Sequence, residues 1–423
     1  MQVLLVAIGS HGDVLPFIAL GTELKRRGHA VLLAAPAPFA DMADRAQLAF
    51  HGLGTQAEYD GFVAEPNLWH PRRGVRVTFG FVSALTEPVY RWIAAKWRPG
   101  EGIVAASTLS LGARVAQDKL GLPLVTVHVM PVLVESRHAP PILPGLPLPS
   151  FLSARLRHWI GRGADTYVIG PAALPGLNAF RAKLELPPVR RLRHWWNSPL
   201  RVLLGFPEWY AEPQPDWPRQ AVQVGFPLAD RCGDVDELTP TLAAFLKAGD
   251  PPVAFTYGSA MRQGQSFFDA AVRICRRMGR RGILLTPQDG QVPADLPPQI
   301  LHAAYAPLSQ LLPHCVALVH HGGIGTVAQA LAAGIPQLVV PVAFDHFDEG
   351  QRLRRLGVGS VLSRHRFTPS RAVEKIERLL GNPDVTRACA MARARMRAEN
   401  GVRTACDAIE DLRAVATRSS GAA

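Results

Sequence analysis

Residues 2–28, QVLLVAIGSHGDVLPFIALGTELKRRG, read as a complete strand, turn and helix. Val3 to Ile8 contains no polar residue, as a strand covered on both faces requires; a strand with one wet face would alternate. Gly9-Ser10-His11-Gly12-Asp13 ends the run, because glycines and small polar residues are the usual punctuation between elements. From Pro16 the apolar residues recur at helical spacing until the basic turn Lys25-Arg26-Arg27 and Gly28, where a helix end is expected.

The same rhythm extends outward. AVLLAAP precedes FADMADRAQLA, GIVAAS precedes LGARVAQDKLG, and PLVTVHVM follows; RVLLGF and VQVGFP close the first half. It restarts at Pro251 with PPVAFTYGS and continues through RGILLTP, VALVHHGG and QLVVPVAF. Continuous apolar strands alternating with amphipathic helices predict an α/β protein of two doubly wound, Rossmann-like domains. The expected boundaries are 1–227, a linker at 228–240 centred on LADRCGDVDEL, 241–395, and a tail at 396–423. The proline-rich stretch Pro131 to Pro149 breaks the alternation, so it is expected as an excursion, followed by the helical ARLRHWIGR. Beyond Asn382 an Arg- and Ala-rich helical pattern runs to about Ala416 before a frayed end, TRSSGAA. It could cap the second domain or pack back on the first.

A chain of 423 residues, 48% hydrophobic and 19% charged, has the size of two domains rather than one and is not disordered in character. Five cysteines without a CxxC pair suggest neither a disulfide framework nor a zinc site, and a reducing, cytoplasmic setting is expected. The opening apolar run is too short to span a bilayer and lacks a basic leader. The net charge of +12 attracts polyanions, but no nucleic-acid recognition motif accompanies the arginines, so nucleic acid is not an expected partner.

Four turns follow strands and could carry chemistry, since ligands of doubly wound sheets bind beyond the carboxyl ends of the strands. In the first, Asp13 or His11 could take a proton from a hydroxyl; Asp13 could equally be a helix-capping acid. In the second, His320-His321-Gly322-Gly323-Ile324-Gly325-Thr326 opens a helix, and glycine-lined N–H groups with the helix dipole suit a diphosphate. In the third, Asp345-His346-Phe347-Asp348-Glu349 offers carboxylates for sugar hydroxyls. The fourth group, Thr256-Tyr257-Gly258-Ser259 and Tyr305-Ala306-Pro307, offers hydroxyls and a ring on which a base could stack. Asp234-Val235-Asp236 has the D-x-D form of a metal ligand but lies in the expected linker with no strand before it, so no metal is expected.

Together GSHGDVLPF, TYGS, YAPL, VHHGGIGT and PVAFDHFDEG resemble the family 1 glycosyltransferases of the GT-B fold, over nearly the whole chain. Within the family, NLWHP (67–71), EPVYRW (87–92), FPEWYAEPQPDWP (206–218) and GFPL (225–228) are most similar to the rhamnosyltransferases of rhamnolipid biosynthesis. The resemblance implies two domains facing a cleft, an N-terminal one for the acceptor and a C-terminal one for the nucleotide-sugar. It implies Asp13 as base with His11 beside it; His321, Gly322, Gly323, Gly325 and Thr326 around the diphosphate; Asp345 and His346 at the sugar; and Thr256, Ser259, Tyr305 and Ala306 framing the nucleotide. His346 stands where the family commonly has glutamine, which bears on sugar identity. The implied reaction is metal-free, inverting transfer, without a cofactor, of L-rhamnose from dTDP-L-rhamnose to a hydroxyl of an apolar acceptor such as a 3-(3-hydroxyalkanoyloxy)alkanoic acid. A UDP-sugar glucosyltransferase acting on a sterol, polyketide or other lipid, and a non-catalytic nucleotide-sugar-binding subunit, are the alternatives. Two segments mixing arginine with tryptophan, 151–160 and 190–196, suggest peripheral contact with the anionic inner membrane.

Overall fold

The computed structural model describes residues 1–142, 152–229 and 237–420, with the side chains of the last helix described as far as Leu412. Cys232 and the Asp234-Val235-Asp236 triplet lie outside the described residues, as do Phe151 and most of the expected linker. The chain divides into two compact units, Met1–Pro227 with Asn400–Ala423, and Leu228–Glu399.

In unit 1 the strands are β1 (Gln2–Val6), β2 (Ala30–Pro36), β3 (Ala49–Leu53), β4 (Gly102–Ser107), β5 (Leu124–His128), β6 (Arg201–Leu204) and β7 (Ala221–Gln223). They form a parallel sheet in the order β3-β2-β1-β4-β5-β6-β7, with Leu4 opposite Leu32 on one side and Val104 on the other. Every residue of β4 and β5 is buried, which is why their apolar residues do not alternate; the polar Thr126 and His128 of β5 are satisfied by Trp196 O and by Thr108 and Asn197. The helix Gly74–Lys96 crosses between β3 and β4 and lays Phe79, Val82, Leu85, Val89, Trp92 and Ile93 into the core, despite Pro88 within it.

Unit 2 repeats the plan with β8 (Val253–Thr256), β9 (Gly282–Leu285), β10 (Ile300–Ala303), β11 (Ala317–His320), β12 (Gln337–Val339) and β13 (Gly359–Val361), all parallel, in the order β10-β9-β8-β11-β12-β13. In both units the strand order reverses beside the first strand, between β1 and β4 and between β8 and β11. A crevice outside the carboxyl ends opens at such a reversal. The turns GSHGD, TYGS and HHGGIGT therefore follow strands that flank these two points.

The tail is not one helix. Pro383–Ala398 belongs to unit 2, the chain turns extended at Glu399, and Gly401–Ser420 returns to unit 1. There Cys406, Ile409 and Leu412 are buried, and Arg27 Nη1 donates to Asp407 (2.6 Å) and Glu410 (2.7 Å). The four described cysteines are buried and unpaired.

Of the two Arg- and Trp-bearing segments, 190–196 is largely interior. Trp196 is 4% exposed and Arg193 7%, Trp195 Nε1 donates to Asp118 at 2.8 Å, and Arg191 pairs with Glu135. Its tryptophans pack the core, and Arg190 is left as an exposed cation. No helix among the described residues is long and apolar enough to cross a membrane.

Candidate functional site

In unit 1 the polypeptide leaves β1 through Gly9, whose φ of +140° is a conformation that suits glycine. Ser10 then caps the helix His11–Arg26, and Asp13, in its first turn, folds back so that Oδ2 accepts from Ser10 N (2.8 Å) and Ser10 Oγ (3.3 Å). A Cβ at position 9 would lie 2.2 Å from that oxygen, so glycine is needed for the carboxylate to reach its place. The turn is also tied to β4, because Ile8 N donates to Ser107 Oγ at 3.1 Å and Ser110 Oγ donates to Val6 O at 3.3 Å.

The capping interaction engages only one oxygen of the Asp13 carboxylate. Oδ2 closes the capping box, while Oδ1 makes no hydrogen bond among the described residues. Burial pushes the carboxyl up to about 6, against the two hydrogen bonds from Ser10, which lower it. A carboxylate whose pKa lies this near neutrality is a far better proton acceptor than a solvated aspartate. His11 stands edge-on to Phe39, ring centres 5.0 Å apart.

In unit 2 the turns after β8, β11 and β12 converge. His320, fully buried, accepts from Gly322 N through Nδ1 (3.2 Å), so its hydrogen is on Nε2, which donates to Gln337 Oε1 (3.0 Å). Burial drives its pKa down to about 3, and this neutral ring is a structural peg that sets the glycine turn. His321 has the opposite character. Its ring lies against Gly323 and Gly258, where added Cβ atoms would meet Nε2 at 2.5 and 3.2 Å. Burial lowers its pKa to about 4, and Nδ1 is buried without a hydrogen-bond partner among the described residues. An orphaned acceptor is less costly than an orphaned N–H, which favours the tautomer with hydrogen on Nε2, at the glycine turn. The helix Ile324–Ala333 begins there without a side-chain cap, leaving first-turn N–H groups and the positive dipole end to an anion. Thr326 is half-buried in this first turn, and Gly325 is exposed.

His346 packs against His321, ring centres 4.6 Å apart, and accepts through Nδ1 from Val342 N (3.4 Å) and Ala343 N (3.3 Å). Burial, with the neighbouring histidines His321 and His320, holds it well below the usual imidazole range. Its Nε2 lies 3.9 Å from Asp345 Oδ1. Phe344, at φ +50°, turns the backbone sharply before this pair, a conformation rare and strained in a bulky residue. Asp348 is bound to Arg352 at 2.7 Å.

The residues expected around a nucleotide are spread more widely. Thr256 is half-buried at the end of β8 and Ser259 is exposed in the next turn. Tyr305 is half-buried, while the Ala306 methyl belongs to the core of unit 2, so only its backbone can meet a ligand. Both follow β10, three strands from β11, a span of roughly 14 Å at the usual ~4.8 Å per strand. Gly258, quoted with its motif but given no role by sequence reasoning, proves to be a wall of the His321 pocket; its position two residues beyond a strand end was the available signal. Among the described residues no group of three or more His, Cys, Asp or Glu is placed to hold a metal ion.

The fold with its paired Rossmann-like units is that of the GT-B glycosyltransferases. The solved glycosyltransferase of kitacinnamycin superimposes with a TM-score of 0.75 at 21% identity, over 97% of this chain and 98% of that one. A spinosyn rhamnosyltransferase complexed with thymidine diphosphate gives 0.68 at 20% identity, over 95% and 98%. Residues 3–138 match the glycosyltransferase family 28 N-terminal domain, and 282–411 match the erythromycin biosynthesis protein CIII-like C-terminal domain. The O-mycaminosyltylonolide 6-deoxyallosyltransferase of Streptomyces fradiae is 31% identical over 435 residues, covering 97% of each chain. This chain belongs to the family 1 glycosyltransferases.

Proposed function

We propose that Asp13 is the general base of an inverting, metal-independent transfer of a deoxysugar from a thymidine-diphosphate donor to a hydroxyl of an apolar acceptor. The observation that carries this reading is the Asp13 carboxylate, with one oxygen fixed by Ser10, the other uncommitted, and a pKa of about 6. The acceptor proton passes to Oδ1 as the hydroxyl oxygen bonds to the anomeric carbon; the bond to the diphosphate oxygen breaks, and the diphosphate leaves. His321, the Gly322-Gly323 turn and the open helix end at Ile324 stabilise that leaving group. Thr256, Ser259, Tyr305 and the Ala306 backbone frame the nucleotide, and Asp345 and His346 meet the sugar.

For the substrates, resemblance supports L-rhamnose from dTDP-L-rhamnose and a 3-(3-hydroxyalkanoyloxy)alkanoic acid, giving a mono-rhamnolipid on the cytoplasmic face of the inner membrane. The relative named for tylonolide supports a second reading, a macrolide-type acceptor with the same machinery. Incubation of the full chain with a panel of dTDP- and UDP-sugars and both acceptor classes, with mass spectrometry of products, tests the two together. A product formed with UDP-glucose alone overturns the donor assignment, and donor binding with neither hydrolysis nor transfer overturns the enzyme reading.

A further inference from the structure

The helix Ala154–Ala164 continues through a five-residue π-helical stretch, Asp165–Ile169, into Gly170–Lys183. The last part buries Ala173, Leu177 and Phe180 in the core of unit 1. The first eleven residues bury nothing, although helices in proteins draw most of their stability from packing an apolar face. Leu156 (47%), Trp159 (76%), Tyr167 (81%) and Val168 (42%) are four of the six large apolar side chains exposed among the described residues. At ~100° per residue, Leu156, Trp159 and Gly163 share one side, and Tyr167 follows one turn later. Arg157, His158, Gly161 and Asp165 take the other side, where with Glu135 and Arg193 they line a small pocket against the body of the unit; exposed Arg162, between the two sides, also borders it.

We infer that this outward face of residues 155–168 docks on an anionic lipid surface. Arg155 and Arg162, seven residues apart and both exposed, lie along one flank of the apolar stripe with no ion-pair partner among the described residues. No acidic residue occurs from 152 to 164, and Asp165 is turned inward onto Arg193 at 3.4 Å. Tryptophan and tyrosine beside arginine suit the headgroup boundary, where rings enter the acyl edge and guanidinium groups meet phosphates. A second copy fits poorly, since pairing of the faces sets arginine against arginine in chains that each carry +12. The surface stands whatever the acceptor; combined with the proposed apolar acceptor, it places the enzyme where that acceptor dissolves.

Flotation of the full chain with vesicles of phosphatidylcholine alone, or of phosphatidylcholine with phosphatidylglycerol, tests the inference. Binding about ten-fold greater to the anionic vesicles at low salt, and lost at high salt, is expected. Trp159→Ser with Tyr167→Ser, and separately Arg155→Gln with Arg162→Gln, should each abolish flotation while leaving the melting temperature and transfer to a water-soluble acceptor unchanged. The arginine pair, both exposed, keeps the test valid if the aromatic pair folds poorly. Absence of flotation at low salt, flotation unaffected by either pair, or a dimer that Trp159→Ser dissociates would each overturn the inference. Transfer assayed without vesicles separates its failure from failure of the reaction reading.

Discussion

As the proposed base, Asp13 serves two demands that oppose each other. Its burial lifts the folded-state pKa to about 6 from 3.8, so folding favours the protonated form: no cost arises below the unfolded value, and the full cost is reached above about pH 6. Asp13→Asn should therefore raise stability at pH 8 by at most about 3 kcal/mol, read as a higher melting temperature, with the gain vanishing below about pH 4. The same change should reduce kcat by roughly 10²–10⁴-fold, as loss of a general base does, with donor affinity nearly intact by calorimetry. If activity survives in Asp13→Asn and disappears in His11→Ala, the base is His11. The wild-type kcat/KM profile should rise through about pH 6 and level off above it. Because Ser10 lowers this pKa through its two hydrogen bonds, Ser10→Ala should move the acid limb upward, and an unmoved limb would show that the Oγ contact does not tune the base. The GSHGD motif made Asp13 legible in the sequence. Ser10's hold on it was not, because that depends on Gly9 adopting a φ of +140° and letting the carboxylate fold back.

At the scale of elements, legibility followed burial. The runs VLLVAI, GIVAA and ALV lie in strands covered on both faces, where polar residues come only at the strand ends, as Ser107 and His320 do. β3, at the sheet edge with its sequence AFHGL largely exposed, carries no such signal. The helix Gly74–Lys96 was hidden for another reason: Gly74, Gly80 and Pro88 read as punctuation, although its apolar residues keep helical spacing. Within the turn after β11 the residue pattern alone treats the two adjacent histidines alike, the resemblance singles out His321, and the pairing of β11 with β12 shows why: it sends His320 to Gln337 and leaves His321 beside the glycines. His321→Ala should weaken thymidine-diphosphate binding far more than acceptor binding. Gly323→Ala should do likewise with the helix intact, since the new methyl contacts the imidazole edge rather than the backbone. Calorimetric titration with the nucleotide and circular dichroism of both variants decide this; unchanged affinity would remove His321 from the leaving-group site.

At the scale of the whole molecule, two doubly wound units were evident from the repeated strand and helix rhythm. The allegiance of the tail was not, because an apolar helical face fits either unit equally until its polar contacts are known. These are Arg27 with Asp407 and Glu410, and His29 with Glu410 at 2.5 Å; they bind Gly401–Ser420 to the helix His11–Arg26. Truncation after Glu399 removes the helix whose Cys406 Sγ reaches Leu20 O at 3.8 Å, and should lower the melting transition of unit 1 while sparing that of unit 2, as resolved by calorimetry of the shortened chain. A single unchanged transition would contradict the pairing. The return of the chain to unit 1 after 228–399 also sets an order of events at the ribosome. Residues 1–227 emerge first, yet their covering helix is made only after 172 further residues, at ~5–20 residues per second roughly 10–35 s later. Throughout that interval the nascent first half lacks the helix that later buries Cys406, Ile409 and Leu412 against it, so unit 1 is complete only when the last-made residues arrive.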